Sequence, residues 1–106
     1  MFSVKTTFEE RKGIYKEAVD KYGVDNQTWV LVEEVGELLQ ALGKTMRSRT
    51  ENKILRDDNH LAEETADVFI ALEQLCENFG LSALLDFMVD FKLRRLKSRM
   101  ESENGC

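Results

Sequence analysis

Apolar residues recur along this chain at intervals of three and four, the spacing of one helical face, and no segment alternates with a period of two. The pattern predicts four helices. The first runs from about Thr7 to Tyr22, with Phe8, Ile14, Tyr15, Ala18, Val19 and Tyr22 as its apolar positions. Thr6 or Thr7 can cap it, Glu9 or Glu10 stands three residues on to complete a capping box, and Gly23 can end it. Asp25 or Asn26 can cap a second helix reaching about Met46. The stretch from Arg47 to His60 is polar and charged apart from Ile54 and Leu55, and is expected to be a loop with at most one short turn of helix. A third helix, capped by Asp58 or Asn59, should stop at Phe79 before Gly80. A fourth should run from Ser82 to about Met100, ahead of a polar tail from about residue 101. The expected fold class is all-α, one four-helix bundle-like domain over residues 1–106.

Helices two and three carry nearly the same pattern. Leu31–Leu42 and Leu61–Leu72 superpose without a gap at an offset of 30 residues, with Leu31/Leu61, Glu33/Glu63, Glu34/Glu64, Ala41/Ala71 and Leu42/Leu72 identical. Glu37/Asp67 and Leu38/Val68 are equivalent in kind. Glu33 and Glu63 lie furthest from the apolar stripe and are expected in solvent. Glu34, Glu37, Glu64 and Asp67 sit at its rim, so antiparallel packing would make them face each other. Ala41 and Ala71, one turn further on, are expected to leave space beside the acids.

Four carboxylates at the edge of a core repel one another and are hard to hold without a cation. Oxygen donors with no nearby imidazole suit Mg²⁺, or Mn²⁺ in its place, better than zinc or copper. A di-iron bundle needs repeated Glu-x-x-His, and the chain has one histidine, His60, expected as a surface or capping residue.

Composition narrows the field further. With 42% hydrophobic and 33% charged residues and no proline, 106 residues make an ordinary globular domain with uninterrupted helices. A net charge of −5 disfavours a general nucleic-acid binder, which needs a basic surface. It leaves phosphorylated substrates open, because a metal ion can supply positive charge. Of two cysteines, Cys76 reads as a buried small hydrophobe and Cys106 as a free terminal thiol. No signal peptide, membrane span or zinc spacing is read, so a reducing cytoplasm is the expected location.

The words Glu34-Val-Gly-Glu37 and Glu64-Thr-Ala-Asp67, separated by 26 residues, resemble the Glu-x-x-Glu and Glu-x-x-Asp signature of the MazG-like all-α nucleoside triphosphate pyrophosphohydrolases. Flanking residues match as well, in EEVGEL and EETADV, and Lys21–Gln27 looks like the stretch before the first motif in small members of that group. The likeness spans roughly Tyr22 to Arg99. It implies cleavage of a nucleoside triphosphate, deoxynucleotides among them, between the α- and β-phosphates, releasing a monophosphate and pyrophosphate in nucleotide-pool house-cleaning. It implies Mg²⁺ held by Glu34, Glu37, Glu64 and Asp67, with Glu37 chosen here as the base.

The resemblance also implies basic residues near the acids and late in the last helix. Lys44, two turns beyond Glu37 on the same face, is a candidate phosphate contact, and Arg47 and Arg49 at the start of the loop are positioned to close over a nucleotide. In helix four, Leu84, Phe87, Met88 and Phe91 are expected as an inward stripe that Lys92, Arg95 and Arg99 continue toward phosphates. Related enzymes commonly place Asn four residues after that lysine, whereas this chain has Leu96. Trp29 falls on the polar side of helix two, and Gln27 can hydrogen-bond a base. Val89 and Leu93 leave a second apolar surface on helix four, which a homodimer or homotetramer would cover. A dUTPase-like or phosphoribosyl-ATP pyrophosphatase activity is the alternative enzyme, and a non-catalytic helical interaction protein the alternative of another class.

Overall fold

The computed structural model describes residues 5–50 and 58–104. Four helices follow in order: α1 Phe8–Tyr22, α2 Val24–Thr50, α3 Asp58–Phe79 and α4 Ser82–Asn104, with no strand among the described residues. The protein is all-helical, as its periodicity predicts.

Local chemistry sets the helix ends. The Thr7 hydroxyl accepts from the Glu10 amide at 3.1 Å, and Glu10 Oε1 accepts from the Thr7 amide at 3.3 Å, which is the expected capping box. Gly23, at φ 87°, ends α1 with its amide on the Val19 carbonyl at 2.9 Å. Its own carbonyl accepts from Gln27 at 3.2 Å, so the same residue opens α2 and the cap expected at Asp25 or Asn26 is not used. Gly80, at φ 64°, ends α3 as expected, and the Leu81 amide reaches back to the Cys76 carbonyl at 2.9 Å. Leu81 then starts α4 through a 2.8 Å bond from Leu85.

Two boundaries differ from expectation. Arg47–Thr50 continue α2, since a polar run without Gly or Pro has nothing to break the backbone ladder. Glu101–Asn104 likewise extend α4 into the expected tail. The central part of the expected loop, residues 51–57 with Ile54 and Leu55, lies outside the described residues, as does Cys106.

α2 and α3 form an antiparallel pair. Asn78 near the end of α3 donates to Gln27 near the start of α2 at 2.7 Å, while Glu64 near the start of α3 lies beside Glu34 and Glu37. The pair is drawn together by small residues: Ala41 and Ala71, with Val68, are the buried apolar residues of the seam. α1 crosses onto α3, where Tyr15 is buried.

α4 does not close a bundle within one chain. Among the described residues it meets only α3, next to the turn at Gly80, and none of its residues is buried. Leu84, Phe87, Met88 and Phe91, expected to point inward, are all exposed. The radius of gyration is 17.7 Å, against roughly 13 Å for a compact chain of this length. Cys76 is half-buried rather than buried, because the diverging α4 leaves an open apolar groove lined by Phe8, Phe69, Leu72, Cys76 and Leu85. Among the described residues, no helix is long and apolar enough to cross a membrane.

Candidate metal centre

In the α2–α3 seam, Glu34, Glu37 and Glu64 bring one carboxylate oxygen each within 4.8 Å of the others. The spacing i, i+3 puts Glu34 and Glu37 on one side of α2, and the antiparallel register sets Glu64 opposite them. Glu64 is buried, Glu34 half-buried and Glu37 exposed. The Oε2 atoms of Glu34 and Glu64 are both buried and, among the described residues, have no hydrogen-bond partner. Two buried acceptors without donors are costly, and a cation is the group that would satisfy both together.

The electrostatics agree. Burial, then the charges of Asp67, Glu37 and Glu64, push the Glu34 carboxyl above the ordinary glutamate value. Burial and the charge of Glu37 push Glu64 the same way, partly opposed by His60. Asp67 is half-buried and bears directly on Glu34, although it does not join the three oxygens that share one point. The donor set is entirely hard oxygen, with three converging carboxylates and a fourth adjacent. Such a set suits Mg²⁺ or Mn²⁺ better than a softer metal.

One neighbour escaped the sequence reading. His60 Nδ1 stands 3.9 Å from Glu64 Oε1, one turn earlier on α3. The i, i+4 spacing of His60 and Glu64 is visible in the sequence and was the available signal. The ring is still largely exposed, in keeping with a surface residue.

The basic residues are arranged differently from expectation. Lys44, Arg47 and Arg49 are exposed on the last turns of α2, so the arginines extend a helix instead of opening a loop. Lys44 lies about 10 Å along the helix from Glu37. Lys92, Arg95 and Arg99 line a shallow concavity on α4 with Leu96. Because α4 does not meet α2, one chain does not bring these three cations to the acids. Trp29 is exposed, and Gln27 is engaged by Asn78.

Compared with known proteins, the chain matches no family model, no curated protein and no solved structure.

Proposed function

We propose that this protein is a divalent-metal-dependent nucleoside triphosphate pyrophosphohydrolase that works as a homo-oligomer. The observation that carries the reading is the pair of buried, donor-less carboxylate oxygens on Glu34 and Glu64, converging with Glu37 on one point. The acidic words around them and their likeness to the MazG-like signature support the reaction class.

In this reading Glu34, Glu37 and Glu64 would hold Mg²⁺ or Mn²⁺, with Asp67 beside them and Glu37 on the solvent side. The bound cation would neutralise phosphate oxygens and make a water more acidic. Glu37, the exposed member of the cluster, accepts a proton from the attacking water. The water oxygen bonds to the α-phosphorus, the bond from that phosphorus to the α–β bridging oxygen breaks, and pyrophosphate leaves with the electron pair. Lys44 lies along α2 as a contact for the outer phosphates. Lys92, Arg95 and Arg99 reach a substrate only from another copy, which gives assembly a role in catalysis as well as in covering apolar surface.

The test joins binding and chemistry. Millimolar Mg²⁺ or Mn²⁺ should raise the melting temperature of the wild type, and Glu34→Gln should remove that rise. A panel of NTPs, dNTPs and phosphoribosyl-ATP should yield pyrophosphate with at least one member. A melting temperature indifferent to both metals would sink the site. Release of orthophosphate in place of pyrophosphate would show that a different bond is cut. A metal response without any turnover would favour a non-catalytic helical protein.

A further inference from the structure

α2 has two working faces. One carries Glu34, Leu38 and Ala41 against α3. On the opposite side Trp29, Val32, Gly36, Leu39, Gly43 and Met46 recur at alternating intervals of three and four, the a and d positions of a heptad. This stripe runs about 26 Å along the helix. Its large members stand out in solvent, with Trp29 68%, Val32 55%, Leu39 63% and Met46 54% exposed. Single exposed apolar residues are ordinary; a continuous heptad of them is an interface pattern.

Charge determines what can lie on it. Of the charges that flank this stripe, the acids Asp25 and Glu33 fall in the first half of α2 and the bases Arg47 and Arg49 in the second. A second α2 laid antiparallel sets each acidic half beside a basic half and opposes the two helix dipoles favourably. A parallel one stacks like on like. The antiparallel register that uses the whole stripe places Trp29 opposite the second copy's Met46, Val32 opposite its Gly43, and Gly36 opposite its Leu39. Two of these three layers pair a large side chain with a glycine, so knobs meet gaps. In the same register Asp25 comes alongside Arg49 of the other copy.

The geometry points to an antiparallel α2–α2 interface between two copies of this chain, on the side of α2 away from the acids. This deepens the oligomeric part of the proposed function but does not depend on metal or substrate. It also names a surface other than α4.

Sedimentation velocity on the full chain tests it. The wild type should sediment at twice the chain mass. Leu39→Lys should give monomer with unchanged helical circular dichroism, because Leu39 makes no buried contact in the single chain. Leu93→Lys on α4 should leave the dimer intact. Asp25→Arg and Arg49→Asp should each raise the dissociation constant several-fold, and the two together should restore it. A monomeric wild type, or a dimer untouched by Leu39→Lys, overturns the inference. A dimer broken by Leu93→Lys alone overturns it while sparing the oligomeric reading. Single charge reversals without effect would mean that the helices do not run antiparallel here.

Discussion

Two carboxylate sites that share α3 have opposite fates. At the α1 end of α3, Glu73 accepts from Arg11 Nε at 2.8 Å, from Arg11 Nη2 at 3.0 Å and from the Tyr15 hydroxyl. The Arg11 hydrogen bond holds Glu73 below the ordinary glutamate value. Burial and the Glu73 bond push the Tyr15 hydroxyl up to about 12. Arg11 is itself stacked over Phe8 and Phe69, so the fork is fixed in place. About two turns earlier on α3, Glu64 faces Glu34 and Glu37; His60 Nδ1 stands 3.9 Å from its Oε1, and among the described residues its Oε2 has no hydrogen-bond partner. One site is complete within the chain and the other is not. A satisfied carboxylate staples helices together, whereas a cluster left without donors is held in a state that a cation would relieve.

The largest effect expected from breaking this contrast is catalytic. Glu37→Gln should lower pyrophosphate release by about 10²-fold or more, the usual scale for loss of a general base, with no loss of melting temperature without metal. Activity within a few-fold of wild type would move the proton acceptor elsewhere.

Next comes the completed site. Glu73→Ala should destabilise the fold by about 1–3 kcal/mol, because it strands the buried Tyr15 hydroxyl and frees Arg11. Tyr15→Phe removes one bond and leaves Arg11 paired, so about 1 kcal/mol is expected. Chemical denaturation reads both. Equal losses would show that the tyrosine, and not the arginine fork, joins α1 to α3.

A smaller effect of opposite sign is expected in the acid cluster. Glu64→Gln should raise the melting temperature of the metal-free protein, since it removes a charge from a repelling set, and should also abolish stabilisation by Mg²⁺. A fall in metal-free stability would mean that Glu64 is already paired in solution.

The pH profile gives the finest test. Glu34 and Glu64 have raised values in the fold, so protonation favours the folded state. Metal-free stability should therefore rise as pH falls from neutral toward the ordinary glutamate value of 4.5. Glu73 is lowered, so its contribution is present above 4.5 and is lost as pH falls further. The two opposing shifts predict a maximum in mild acid. Saturating Mg²⁺ should move that maximum upward, because protons compete for the same oxygens. Stability that declines steadily from neutral pH without metal would contradict the raised values.

Much of this contrast can be read without coordinates. The capping box at Thr7 and Glu10 and the glycine endings at Gly23 and Gly80 are local events, encoded within three or four residues. The matched words at Leu31–Leu42 and Leu61–Leu72 likewise announce facing acids, because antiparallel pairing of equivalent stripes brings equivalent positions together. The extension of α2 through Arg47–Thr50 is harder to read, because a polar run carries no apolar stripe even where nothing breaks the helix. The Glu73 staple is harder still. Its partners Arg11 and Tyr15 lie about 60 residues away, and no spacing rule links positions that far apart.

By itself the sequence determined that this protein is helical, where its glycines end α1 and α3, and that α2 and α3 present matching acids. Those are consequences of backbone hydrogen bonding and of the 3.6-residue repeat, which act within a turn or two. Only the tertiary structure decided that Ala41 and Ala71 are buried, that Glu34 and Glu64 bury oxygens with no partner among the described residues, and that α4 stands away from the acids. It also showed that the Trp29 side of α2, which reads as polar beside Leu31 and Leu38, is a long apolar stripe open to solvent. Burial depends on which surfaces meet, and a periodic pattern says that a face exists without saying what covers it.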